Sequence, residues 1–143
     1  MRLFSSDTKV EALKRAPLFE GLDRHELDEL AKRTDDLDFK AGKVLCAQGE
    51  SGGEFYVIMD GEAEVTRDGQ TLATFGGGDF FGEVSLVQDA PRNATVTATT
   101  EIRCFVLTRG RFLTVLDDQP AVQRKVMEAL AKRLTSVSDD PTL

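Results

Sequence analysis

Residues 62–75 read EAEVTRDGQTLATF, two runs of strand-forming residues on either side of Asp68-Gly69. Asp-Gly supplies the positive φ angles of a two-residue hairpin turn, so this stretch predicts a β-hairpin. The same punctuation continues in both directions. Ten of the twelve glycines fall between Gly42 and Gly82. They separate KVLCAQ (43–48), EFYVIM (54–59) and the hairpin, while NATVTAT (93–99) and EIRCFVLT (101–108) supply two further strands. Short strands at this spacing predict a sandwich or a small closed barrel over residues 35–108, because closure removes exposed sheet edges.

The flanks change period. Thr8 to Arg15 predicts a first helix, stopped by Pro17. Asp23 and Glu26 form a capping box for a second helix, with Leu22 and Leu27 placed as a hydrophobic staple and Leu27, Leu30 and Ala31 as its apolar stripe. Beyond the strands, Gly110 to Leu116 predicts a short helix. Gln119-Pro120 opens another, with proline tolerated in the first turn. Its stripe runs Val122, Val126, Ala129, Leu130, Leu134 and Val137. The tail from Ser138 is polar and reads as frayed. The whole chain, 1–143, reads as one domain: N-terminal helices at 8–34, a barrel at 35–108 and C-terminal helices at 110–137. The fold class is mainly β with flanking helices, α+β.

Composition narrows the function. The chain has 143 residues, 41% hydrophobic and 30% charged, with a net charge of −7. That is enough apolar content for a core and the wrong sign for a nonspecific grip on nucleic acid or anionic lipid. His25 is the one histidine, which leaves little for histidine catalysis or a histidine-rich metal site. Cys46 and Cys104 cannot complete a four-ligand zinc site and read as buried small hydrophobes. The pairs Asp35-Asp36 and Asp117-Asp118 read as solvated turns. No metal and no catalytic residue is assigned. No stretch approaches the roughly 18 apolar residues of a membrane span. The start, MRLFSSDTKVEALKR, lacks the apolar core of a signal peptide. A cytoplasmic location with reduced thiols is the expectation.

One run carries binding chemistry: FGGGDFFGEVSLVQDAPRNATVTA, residues 75–98. Gly76 to Gly78 and Gly82 leave backbone amides unobstructed. A short helical turn from Gly82 would aim free N–H groups at an anion. Arg92 adds a guanidinium and Thr95 a hydroxyl. These suit a phosphate diester. Glu83 does not suit an anion, but it fits a hydroxyl on something attached to the phosphate, such as a ribose.

Phe81-Gly82-Glu83-Val84-Ser85-Leu86 followed by Pro91-Arg92-Asn93-Ala94-Thr95-Val96 resembles the phosphate-binding cassette of cyclic-nucleotide-binding domains, roughly F-G-E-x-(A/S)-L, a short loop, then P-R-x-A-(S/T)-V. Pro17-Leu18-Phe19 with Gly21-Leu22, and Phe55-Tyr56-Val57-Ile58 with Gly61, extend the likeness over about residues 10–135. The resemblance implies a jelly-roll barrel with the ligand inside and a C-terminal lid helix over the base. It implies that Arg92 pairs with the cyclic phosphate and Glu83 holds the ribose 2′-hydroxyl. The amides of Gly82, Ser85 and Ala94 and the hydroxyl of Thr95 would meet the phosphate, and Val84 completes the set. Asn93 departs from the family's Ala, Ser or Thr; its amide can donate to phosphate or reach the purine. Arg133 and Leu134 would approach the purine if the last helix swings over the pocket.

The expected function is a stand-alone regulatory module that senses cAMP, with cGMP as the other candidate ligand, and signals to an effector protein by C-terminal helix movement. No cofactor is expected, and the chain reads as no enzyme. Direct DNA binding and membrane attachment are not expected. The apolar stripe of the last helix leaves two roles open, a lid on the barrel or a homodimer contact. A degenerate barrel used only for protein contacts is the alternative reading.

Overall fold

A computed structural model gives the architecture; it describes residues 6–135, and side chains over residues 7–132. Val137 and the tail from Ser138 lie outside the described residues, as do the side chains of Arg133 and Leu134. Helix α1 spans Ser6–Leu13, and a 3-10 turn, Pro17–Phe19, leads to α2, Arg24–Ala31. The Asp23 and Glu26 capping box is present in both directions. Eight strands follow: β1 Asp35–Phe39, β2 Val44–Cys46, β3 Glu54–Asp60, β4 Ala63–Arg67, β5 Gln70–Phe75, β6 Phe80–Phe81, β7 Thr95–Ala98 and β8 Ile102–Thr108. A second 3-10 turn, Glu83–Leu86, stands between β6 and β7. Helices α3, Arg109–Asp118, and α4, Pro120–Thr135, close the described chain.

The strands form two antiparallel four-stranded sheets, β1-β8-β3-β6 and β2-β7-β4-β5. Asp68 (φ 52°) and Gly69 (φ 79°) make the turn between β4 and β5, and Arg67 pairs with Gln70. The sheets face each other across a core of Tyr56, Ile58, Val65, Phe81, Val96 and Ile102. This is the α+β jelly-roll arrangement that the strand spacing and the cassette predict.

Strands β3 and β8 are apolar on both faces for a reason. Successive side chains point to opposite sides of a strand. Tyr56, Ile58, Cys104 and Val106 point between the sheets, and Phe55, Val57, Phe105 and Leu107 point to a helical layer. That layer joins Leu13, Leu18, Phe19 and Leu30 from the N-terminal segment to Phe112, Val115, Val122 and Val126 from the C-terminal one. Phe19 sits between the two, 5.9 Å edge-on from Phe55 and 5.7 Å from Phe112.

Two expectations are corrected. Asp35 and Asp36 are not a solvated turn but open strand β1, whose three acids in five residues oppose strand formation on propensity alone. Arg103 on β8 offsets that, standing 3.3 Å from Asp36 and 2.8 Å from Asp38, and Arg111 stands 2.9 Å from Asp35. Asp117 and Asp118 are likewise no turn but the last two residues of α3. On α4, Val122 and Val126 belong to this chain's own helical layer and Ala129 is buried, with α4 packed against the first 3-10 turn and α3. Lys125 Nζ, 2.7 Å from Glu26, and Lys132 Nζ, 3.2 Å from Glu20, fix α4 to the N-terminal segment.

Burial suppresses the reactivity of the thiols. Cys104 is raised from 9.0 to about 12, mostly by loss of hydration, and Tyr56 from 10.0 to about 12 for the same reason. Burial also raises Cys46, against the opposing field of Arg92. Both thiols are held toward the protonated form, which disfavours thiolate chemistry. Because the folded values of Cys104 and Tyr56 exceed the unfolded ones, their contribution to stability is intact below about pH 9 and is lost as pH rises towards about 12. Chemical denaturation between roughly pH 8 and 11 should show this alkaline decline, and Cys104→Ala should make it shallower.

Candidate functional site

The cassette is built by glycine geometry between two anchored ends. Gly76 N–H donates to Asp79 Oδ2 (2.8 Å), and Gly78, at φ 95°, returns the chain so that its N–H meets the Ile58 carbonyl (2.7 Å). Phe81 then points inward and stacks on Tyr56, centroids 4.6 Å apart. Gly82 takes φ 84° and turns the chain into the Glu83–Leu86 3-10 turn. Fully buried Leu86 anchors that turn in the helical layer. The returning arm is held at Arg92, whose N–H donates to the Glu50 carbonyl (2.9 Å) and whose carbonyl accepts from Gly49 (2.8 Å).

Arg92 is the central group. Its side chain is 5% exposed. Nη2 donates to the Glu54 carbonyl at 2.8 Å and lies 3.8 Å from the Glu54 carboxylate. Nε and Nη1 are buried without a hydrogen-bond partner. Unmade hydrogen bonds on a buried cation are costly, and a ligand anion is the natural remedy. Glycines make the space: a Cβ on Gly52 would overlap Arg92 Nε, and one on Gly82 would stand 2.6 Å from Nη1.

Glu83 is also buried, at 4% exposure. Its Oε2 accepts from the Leu18 N–H at 2.7 Å, so the cassette is tied to the N-terminal 3-10 turn. Val84, Ser85, Gln88, Arg92 and Asn93 line an open cleft of about 220 Å³. Ala94 is buried within the barrel core.

Ser85 and Thr95 have partners within the protein. The Ser85 N–H donates to the Gly82 carbonyl (3.0 Å), closing the turn. Thr95 alternates with inward-facing Val96, and its hydroxyl accepts from Gln48 N–H (2.9 Å) away from the cleft lining. None of the cleft-lining residues comes from α4.

Three contacts were not signalled in the sequence. The Leu18 amide is one. Arg109, at the start of α3, is another: Nε donates to the Ser85 carbonyl (2.7 Å) and Nη2 to the Gly52 carbonyl (3.1 Å), bracing both sides of the cleft. Arg67 is the third, with Nε on the Asn93 carbonyl at 2.8 Å. Pro17-Leu18-Phe19 stands out in the sequence as a turn, but nothing in it marks the amide, and no repeat or motif marks Arg109 or Arg67. Among the described residues, no three His, Cys, Asp or Glu side chains converge to hold a metal ion, and no helix is long and apolar enough to cross a membrane.

A double-sheet barrel with a buried arginine, two of whose nitrogens lack partners, beneath a glycine-shaped cassette is chemically suited to an anion. The chain belongs to the cyclic nucleotide-binding domain family, whose model matches residues 36–119. It is 30% identical over 135 residues to the CRP-like cAMP-activated global transcriptional regulator of Mycobacterium tuberculosis, covering 91% of this chain and 60% of that protein. It is 39% identical over 106 residues to the cAMP-dependent protein kinase regulatory subunit of Yarrowia lipolytica, covering 73% of this chain and 28% of that one. The chain thus spans only part of the length of these relatives. Among solved structures it resembles the N-terminal domain of a transcriptional regulator from Streptomyces coelicolor, with TM-score 0.79 and 31% identity over 90% of this chain and 99% of that one.

Proposed function

We propose that this chain is a regulatory module that binds cAMP, acts through an effector protein, and reports occupancy by movement of its C-terminal helices. The observation that carries the reading is Arg92: a buried guanidinium with two unpartnered nitrogens beside a glycine-lined turn. Cyclic phosphate supplies the missing acceptors and neutralises the charge. The choice of cAMP over cGMP is supported by the names of the two relatives above, one cAMP-activated and one cAMP-dependent. Asn93 is the residue at the cleft that can alter the purine preference, because its amide carries both donors and an acceptor.

Signalling follows from differential affinity. A ligand shifts a conformational equilibrium only by the difference in its affinity for the two states. Here α4 is packed on the N-terminal turn, and that turn holds Glu83. The chain has a continuous physical connection from cassette to α4. Arg133 and Leu134 remain the proposed purine contacts of a moved α4. A catalytic role has no support: His25 is exposed on α2, remote in sequence from the cassette.

The reading predicts how the ribose is sensed. Wild type should bind 2′-deoxy-cAMP at least about tenfold more weakly than cAMP, because a buried carboxylate loses a hydroxyl donor. Glu83→Ala should bind the two almost equally. Competition titrations with both ligands check this. Equal preference in wild type would remove Glu83 from the site.

A further inference from the structure

We propose that the backbone N–H of Leu18 is a positioning group of the ribose site, holding the Glu83 carboxylate in the orientation that accepts the ligand's 2′-hydroxyl. The inference rests on the nucleotide reading above and adds the N-terminal turn to the site.

The turn is made to offer this donor. Pro17 at its first position has no N–H, and the Phe19 N–H is spent on the Ala16 carbonyl at 2.9 Å. The second amide of such a turn has no partner within it. Leu18 therefore presents a donor, and Glu83 Oε2 receives it at 2.7 Å across 65 residues of sequence. That length is at the short end of the range for an amide donor.

The donor is also rigid. Leu18 and Phe19 are 1% exposed, and Phe19 is fixed between Phe55 and Phe112. Residue 83 adjoins the cleft along the chain, between Gly82 and the lining residue Val84. Glu83 follows Gly82, which abuts the Arg92 guanidinium, so phosphate at Arg92 brings the attached ribose to residue 83. Fixing one oxygen of the carboxylate restricts its rotation and sets where the hydroxyl must sit.

Two variants separate the amide from the side chain. In the first, the Leu18 residue is replaced by its α-hydroxy acid, which turns the amide into an ester and removes only the N–H. The second is Leu18→Ala, which keeps the N–H and removes the packing. Calorimetry gives the affinities for cAMP and 2′-deoxy-cAMP. The ester should lose roughly five- to tenfold of the wild-type preference for cAMP, with 2′-deoxy-cAMP affinity nearly unchanged. Leu18→Ala should keep the preference. An ester that keeps the full preference, or an alanine variant that loses as much as the ester, overturns the proposal.

Hydrogen exchange at the Leu18 amide needs no variant. It should be protected in the wild-type chain both free and with cAMP bound. Exchange that accelerates tenfold or more on adding cAMP would mean that ribose displaces the turn, and the proposal fails. Wild-type binding without any 2′-hydroxyl preference overturns the ribose role of Glu83 and this proposal with it. Absence of binding to either cyclic nucleotide overturns the functional reading itself.

Discussion

Arg92→Ala should weaken cAMP binding by about 30-fold or more. A phosphate enclosed by the cassette would lose its counter-charge, and truncating one partner of a buried hydrogen-bonded pair costs ~2–5 kcal/mol. The free protein should respond the other way. Arg92 is 5% exposed, with Nε and Nη1 unsatisfied, and its nearest anion, Glu54, stands 3.8 Å off and is 43% exposed. Removing it relieves a buried charge with two unsatisfied nitrogens and one long ion pair, so the melting temperature without ligand should hold or rise while affinity collapses. Arg92→Lys should also bind poorly, because an ammonium cannot reproduce a planar fork with several donors. Side-by-side titration and melting of the three proteins tests both signs. An Arg92→Ala protein with wild-type affinity would remove the site assignment.

Gly82→Ala should be the most damaging single methyl in the cassette. At φ 84° an L side chain is strained by ~1–2 kcal/mol before any contact is counted. The new Cβ would also overlap the Glu54 carbonyl and stand 2.6 Å from Arg92 Nη1. One contact is backbone and cannot step aside. The other displaces the phosphate ligand's own partner. The expected outcome is a melting temperature lower by roughly 5–10 °C together with loss of detectable cAMP binding at concentrations that saturate wild type. Gly69→Ala is the control: it shares a positive φ of 79° but its Cβ meets nothing within 4 Å. It should lower stability and leave affinity intact.

The barrel was legible because turn chemistry is local. Asp68-Gly69 states its own φ angles, and the runs on either side alternate. Strand β1 was not legible, since its acids make sense only opposite Arg103 and Arg111, sixty and more residues away. Strand β6 has two residues and no period to read. In the site, the sequence brings out the residues whose types are chemically unusual, Gly82, Glu83 and Arg92. It does not bring out where their bonds go. The Leu18 group that Glu83 meets is a backbone amide, which every residue but proline has. Ser85 carries an amide that the turn itself consumes. Thr95 illustrates a readable signal: with Val96 facing inward, strand alternation turns Thr95 outward. Arg109 carries no local mark, and only the fold brings it to the Ser85 and Gly52 carbonyls.

The measurement that bears most directly on the central claim is a calorimetric titration of the purified chain with cAMP and then cGMP, paired with a thermal shift for each. Saturable binding at one ligand per chain, with a raised melting temperature and cAMP the tighter ligand, is the predicted result. Neither heat nor thermal shift with either nucleotide would contradict it and leave the barrel as a protein-interaction module.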